Sequence, residues 1–271
     1  MKKLLLVAFL FSSMTNTLAQ GKLGQAKKNI SEPAPSKTAP SARSNQRESS
    51  RSSKTTNSNS ASSNGGFFVE LLSIATVGLL IGEVEPRSFH AHPYAEGENG
   101  EYIRSDESAL GRQNNFMLSN TVITESETYG NDFKLNYRFI PFLGVEANHL
   151  YLWDRNVENS NLGVTGFMMN FYRVRENKVS AYWGLGGTHL GGSVSATGFS
   201  YNLGMDIYVA NPISLGFYWK QTFVEDSITM NEFRLLARYH VNKLSFHAGF
   251  IHYKIGGVNF PSGAFGVDFR F

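Results

Sequence analysis

From Asn115 to Phe271 the chain repeats one pattern: short segments of alternating apolar and polar side chains, separated by turn residues. Successive side chains of a β-strand point to opposite faces, so each segment would present one greasy face and one polar face. Ten segments are placed at 115–127, 132–140, 143–153, 161–174, 179–189, 196–209, 213–223, 230–241, 244–254 and 263–271. Their length suits a strand crossing a membrane at a tilt. The sixth is the clearest: Phe199, Tyr201, Leu203, Met205, Ile207 and Val209 alternate with Ser200, Asn202, Gly204, Asp206 and Tyr208. The second sets Phe133, Leu135, Tyr137 and Phe139 against Asp132, Lys134, Asn136 and Arg138. The first and fourth alternate poorly and leave their facing open. The pattern predicts an all-β, up-and-down antiparallel transmembrane barrel of about ten strands, with eight or twelve as alternatives. A soluble sandwich or lipocalin-like barrel, with the apolar set as its core, is the competing architecture.

The last segment carries a second signal. Phe265, Val267, Phe269 and Phe271 fall on one face, and Ala264, Gly266, Asp268 and Arg270 on the other. The chain stops on an aromatic residue. Here it resembles Gram-negative outer-membrane β-barrel proteins, whose final strand reads polar-x-Gly-x-x-aromatic-x-aromatic. Gly266, Phe269 and Phe271 match that assembly signal, and Ala264 departs at the polar position. The resemblance covers 115–271 and implies residence in the outer membrane, contact with its lipid and insertion by the barrel-assembly machinery.

The connections point the same way. Those after even strands are short (141–142, 175–178, 210–212, 242–243) and those after odd strands tend to be longer (128–131, 154–160, 190–195, 224–227, 255–262). Outer-membrane barrels pair short periplasmic turns with longer outer loops. An even strand number also puts both termini in the periplasm. Pro141, Pro212 and Pro261 all fall in predicted connections, as a residue without an N–H should.

Upstream, residues 1–19 read as a signal peptide: Lys2 and Lys3, an apolar run from Leu4 to Phe11, and small residues at Thr17 and Ala19. Residues 20–65 are Ser-rich and basic, with too few large apolar groups to offset ordering entropy, so a disordered linker is expected. Residues 66–82 hold a strongly apolar run, Phe67 to Ile81, read as a short helix lying at the interface or plugging the barrel. Residues 83–114 read as loop. The net charge of +3 is dominated by the linker and the signal peptide, so the basic pI is no argument for a nucleic-acid partner. The linker's basic residues are the natural contact for anionic lipid or cell-wall polymer. The chain has no cysteine, which excludes a disulfide framework, a thiolate metal site and a lipidated cysteine.

The inward face is expected to hold Lys134, Arg138, Glu146, Asp206, Lys220, Glu232, Arg234, Arg238, His240, His247, Asp268 and Arg270. In a narrow lumen such charges make a structural network, or else the lining of a small selective channel. Turn geometry places Arg138 opposite Glu146 and Arg238 opposite His247. Trp153, Trp183, Trp219, Tyr151 and Tyr253 read as an aromatic girdle, and His149, His189 and His252 as interfacial residues. His90 and His92 lack an identifiable third ligand, so neither a metal nor any cofactor is expected. A barrel enzyme is the alternative to a non-catalytic role. Ten strands is also the count of the omptin proteases, and Asp132, Asp154, Asp226 and His189 lie near the predicted outer ends. They match no omptin motif, and no catalytic residue is assigned.

Overall fold

The computed structural model describes residues 21–31, 87–98, 100–103, 111–126, 128–154, 161–192, 194–224 and 228–271. The readings of 1–19 as signal peptide and 66–82 as apolar helix, and most of the linker, lie outside the described residues. Those described form α1 (Lys22–Ser31), a ribbon of β1 (Ser88–Phe89) and β2 (Tyr102–Ile103), and ten longer strands. These are β3 (Asn115–Glu125), β4 (Thr128–Ile140), β5 (Leu143–Asp154), β6 (Asn161–Arg175), β7 (Val179–Gly192), β8 (Ala196–Ala210), β9 (Ile213–Val224), β10 (Thr229–Val241), β11 (Leu244–Ile255) and β12 (Val258–Arg270). Each pairs antiparallel with its chain neighbours, and β12 closes onto β3 from Gly263↔Thr124 to Arg270↔Met117. The result is a closed ten-stranded up-and-down barrel, which leaves no sheet edge unpaired.

The facing follows the alternation. Phe265, Val267, Phe269 and Phe271 are exposed on the outside while Ala264, Asp268 and Arg270 are buried inside. Leu203, Phe199 and Phe167 likewise stand outward, Phe167 with 56% of its surface exposed. The soluble alternative required these side chains to be the core, and they are not. β3, whose facing the sequence left open, turns Ser119, Thr121, Ile123 and Glu125 inward.

Several boundaries differ from expectation. Residues 128–131 belong to β4, not to a connection, and β12 begins at Val258. The β11–β12 connection is therefore only Gly256-Gly257, whose φ values of 56° and 83° are those of a tight turn with both central residues left-handed. Pro261 consequently lies inside β12. It sits beyond the last residue of β12 paired with β3, so its missing N–H removes no rung of that ladder.

Two mouths result. The C-terminal mouth carries the turns at 141–142, 176–178, 211–212 and 242–243, together with the end of β12. The loop mouth carries the other five connections. Each mouth is filled by a segment from upstream of the barrel. Residues 22–31, inside the stretch expected to be disordered, form α1 because Leu23, Ala26 and Ile30 make one apolar stripe. A ten-residue helix is marginal alone; this one buries its stripe in the loop mouth. Lys22 Nζ lies 2.6 Å from Glu125 Oε1, and Asn29 Nδ2 donates to Gly256 O at 2.7 Å. So α1 sits at the mouth opposite Phe271, and the expectation that the linker and the C-terminus share one side does not hold for these residues.

The described residues of 83–114, a stretch expected to be loop, fill the C-terminal mouth. Ser88↔Ile103 and Phe89↔Tyr102 pair as a ribbon, and Phe89 and Arg112 exchange backbone hydrogen bonds of 2.7 and 3.1 Å. Phe89, Tyr94 and Tyr102 are buried, and Tyr94 Oη donates to Ile213 O. Three aromatic side chains in thirty mostly polar residues are enough, because a barrel end supplies the rest of the core.

Candidate functional site

The lumen is the place where chemistry-bearing residues converge, and it has three layers. Toward the loop mouth, inside the Lys22–Glu125 pair, the inward side chains are mostly apolar: Ile123, Leu150, Leu152, Leu162, Val164, Leu190 and Ile251 pack with Leu23, Ala26 and Ile30 of α1. An inward face that is polar throughout was expected. It changes character partway along, because a helix rather than water occupies this end.

The middle layer is ionic. Arg234 Nη1 lies 2.6 Å from Asp132 Oδ2, its Nε bonds Glu232, and its Nη2 donates to Tyr253 Oη at 3.1 Å. Lys220, directly opposite Glu232 in the β9–β10 ladder, approaches it to 3.1 Å. Lys134 Nζ is 3.3 Å from Glu146 Oε1 and sits 4.1 Å over the Tyr218 ring, while Tyr218 Oη donates to Glu146 at 3.1 Å. Arg238 bonds Asp206 and lies 3.3 Å from Asp268. His247 does pair opposite Arg238; its Nδ1 is 3.1 Å from Asp268 Oδ1 and its Nε2 3.0 Å from Thr121 Oγ1.

The third layer is a clamp at the C-terminal mouth. Arg138 holds the Glu101 carboxylate through both terminal nitrogens, at 2.8 and 2.6 Å, and Arg270 Nη1 donates to the same group at 2.9 Å. The Arg138 guanidinium also stacks 4.7 Å from the Phe89 ring and 4.4 Å from Tyr172. Arg138 does not face Glu146. A bulge between Arg138 and Ile140 lets Ile140 pair with Leu143, which sets Arg138 against Gly144 and Asn136 against Glu146. The glycine leaves room for the long side chain: a Cβ at 144 would meet Arg138 Cγ at 2.7 Å.

Every charged residue expected in the lumen thus faces it. The sequence reading missed two of the carboxylates. Asp132 faces inward by the same parity as Lys134 but was assigned to an outer end, and Glu101 gave no signal because its partners are 37 and 169 residues away. With them, six cations (Lys134, Arg138, Lys220, Arg234, Arg238, Arg270) meet six carboxylates (Glu101, Asp132, Glu146, Asp206, Glu232, Asp268) among the described residues. An unpaired ion in this interior costs several kcal/mol, so the balance is a condition of stability. A cavity of about 60 Å³ remains, bordered by Lys134, Arg138, Asp206, Arg238 and Arg270. At ~15 Å³ per probe sphere it takes about four waters.

Other expected sites disperse. Tyr253 is buried in the lumen rather than in a girdle. His189 is outside, 3.0 Å from Thr197 Oγ1, while Asp132 is inside, so these two do not meet. Asp226 lies outside the described residues. His149 bonds Thr165 Oγ1 at 2.9 Å, and the β5–β8 ladders set His149, Thr165, His189 and Thr197 side by side on successive strands. They form a polar row on the outer surface, from the middle of β5 to the loop-mouth end of β8. His92 Nδ1 lies 3.0 Å from Pro93 O, and the backbone N–H of His90 donates to Glu101 O.

Glu101 also sets an acid limit. Burial pushes its carboxyl up, but Arg138 and then Arg270 outweigh that and hold it well below its ordinary value of 4.5. A carboxyl depressed on folding contributes stability above its unfolded pKa and loses it as pH falls toward the folded one. The melting midpoint is expected to fall below pH 4.5 less steeply in Glu101→Gln than in the unsubstituted protein, so that the gap between the two, widest at neutral pH, closes on acidification. Thermal melts across a pH series in detergent check this.

No protein-family model matches the chain, and no curated protein matches it. Among solved structures it is similar to the N-terminal β-barrel domain of Pseudomonas aeruginosa OprF, with 10% identity, TM-score 0.33, 59% of this chain and 98% of that one covered. It is similar to the KdgM porin, with 8% identity, TM-score 0.36, and coverage of 57% and 99%. It is also similar to the Yersinia pestis outer membrane protein Ail in a phospholipid bilayer nanodisc, with 13% identity, TM-score 0.33, and coverage of 58% and 98%.

Proposed function

We propose that the chain is an integral outer-membrane β-barrel of a Gram-negative bacterium, non-catalytic, whose lumen its own upstream segments hold shut. The observation that carries this reading is the outward face: a closed barrel whose exposed side chains include Phe133, Phe167, Phe199, Leu203, Phe265 and Phe269. An exposed apolar surface of that extent fits hydrocarbon and not water. The Phe116–Phe271 and Phe269–Phe271 ring pairs at the C-terminal mouth then mark one membrane boundary. The C-terminal mouth faces the periplasm, and Gly266, Phe269 and Phe271 act as the assembly signal. Basic residues of the 20–65 linker contact anionic lipid or cell-wall polymer.

Leu203 stands outward at the middle of β8. Leu203→Arg is expected to cost about 2–4 kcal/mol in lipid, because a charge then faces the bilayer midplane. Urea titration of the refolded protein in lipid vesicles measures it. A cost below 0.5 kcal/mol, or a wild-type protein that stays monomeric in buffer without detergent, would sink the reading.

Whether the barrel also passes small solutes turns on its plugs. With α1 in one mouth and the ribbon in the other, the resting state is closed, and planar bilayers should record long silent periods broken by small openings. Large steady conductance would contradict a closed resting state. Complete silence under all voltages would leave a structural barrel as the role.

A further inference from the structure

The lumen charges are paired almost entirely by barrel residues with barrel residues. Besides Glu125, which α1 supplies with Lys22, the exceptions are Arg138 and Arg270: both take their carboxylate from Glu101, which stands on the ribbon. Each arginine also keeps its Nε without an acceptor, and both border the 60 Å³ cavity. The ribbon itself is slight, two residue pairs fastened by the Phe89–Arg112 bridge, the Tyr94–Ile213 hydrogen bond and the half-exposed Arg87–Glu176 ion pair at 3.2 Å. If the ribbon withdraws, two guanidiniums are left in a narrow, aromatic-lined mouth with no counter-ion. Two buried cations in that position must find an anion.

We infer that Arg138 and Arg270 form a carboxylate-binding site of the lumen, which Glu101 occupies as a tethered stand-in for a small organic carboxylate. A planar two-oxygen anion is selected because Arg138 grips Glu101 through two parallel N–H···O bonds, the geometry that a guanidinium offers a carboxylate. Chloride, a single sphere, lacks the two separate oxygens that two parallel N–H bonds address. The adjacent cavity gives room for the remainder of a short acid. A free carboxylate and the ribbon then compete for the same two side chains, so binding of the solute and opening of the C-terminal mouth are one event.

The first test is chemical rescue in the full mature chain in detergent, which reads folding and does not depend on where the barrel resides. Glu101→Ala removes the tethered carboxylate and leaves space for acetate. Its apparent melting midpoint should drop by about 10 °C, and millimolar acetate should recover at least half of that drop. Chloride at equal ionic strength should recover little. The double variant Glu101→Ala/Arg138→Ala should not respond to acetate. If Glu101→Ala does not fold in chloride, the folded fraction after refolding with or without acetate gives the same readout. No acetate response in Glu101→Ala, an equal response in the double variant, or stronger rescue by inorganic phosphate overturns the assignment.

The second test addresses competition in the otherwise unaltered protein. Ser88 is fully buried in the ribbon and the chain has no cysteine, so Ser88→Cys is a silent reporter of ribbon release. Maleimide labelling should run several-fold faster in acetate than in chloride at equal ionic strength. Equal rates would reduce Glu101 to a structural rivet and defeat the inference.

Discussion

Arg234→Met is expected to cost about 3–5 kcal/mol of barrel stability. Arg234 touches two carboxylates from different strands, Asp132 of β4 and Glu232 of its own strand, and it also donates to Tyr253. Glu232 keeps Lys220 at 3.1 Å, but Asp132 makes no other ion pair among the described residues and is wholly buried. The loss is therefore chiefly the cost of stranding Asp132, not the value of the bond itself. The double variant Asp132→Asn/Arg234→Met tests that logic. It removes one charge of each sign, leaves Glu232–Lys220 as a neutral pair, and should be more stable than Arg234→Met alone by about 2 kcal/mol. Additive costs for the two substitutions would show that the layer is not an electrostatic unit. By contrast Lys134→Met should cost about 1 kcal/mol: Lys134 borders the 60 Å³ cavity, and its partner Glu146 keeps the Tyr218 hydroxyl as a donor.

The same layer shows which parts of the protein could be read in the sequence. Period-two alternation translates directly into lipid and lumen only where the two faces differ chemically. It located the strands and gave the facing of Lys134, Arg138, Asp206 and Asp268, since a charge on a lipid-facing surface is unaffordable. It said little where both faces are apolar. In β5, His149, Tyr151 and Trp153 face out and Leu150 and Leu152 face in, and nothing local says that the leucines await a helix. That helix was hidden by averaging: over 20–65 the composition is that of a disordered chain, yet Leu23, Ala26 and Ile30 carry a helical stripe. Glu101 was illegible for a different reason. Its role is defined by Arg138 and Arg270, and only barrel closure, which sets β12 beside β3, brings those two together. Tyr253 looked like a girdle residue because it is aromatic and near a strand end. Its face, not its type, decides, and it shares the buried face of Ile251 and Ile255.

Gly266→Ala is expected to cost about 3 kcal/mol, and Gly266→Val to prevent closure, through a cause unrelated to recognition by any assembly machine. Gly266 faces the lumen where β12 meets β3 on one side and β11 on the other, opposite Thr121 and His247. A Cβ there would collide with the backbone oxygen of Asn120 and lie 2.6 Å from His247 Nε2. The imidazole has a tip to move, but the Asn120 carbonyl belongs to the seam itself. Relief therefore means parting β12 from β3, the one ladder that joins the ends of the barrel, and the barrel has no other way to satisfy those strands in hydrocarbon. Phe271 differs: its ring is exposed and, among the described residues, stacks on Phe116 and Phe269, while its one bond across the seam, backbone N–H to Phe116 O at 3.0 Å, survives a change of side chain. Refolding purified chains into detergent, where no assembly machinery is present, separates the two contributions to the terminal motif. Gly266→Ala should refold poorly both there and in cells. Phe271→Ala should refold nearly as well as the unsubstituted chain in detergent and reach the membrane poorly in cells. If Phe271→Ala also fails in detergent, the terminal aromatic is a packing residue and the assembly-signal reading of this strand is wrong.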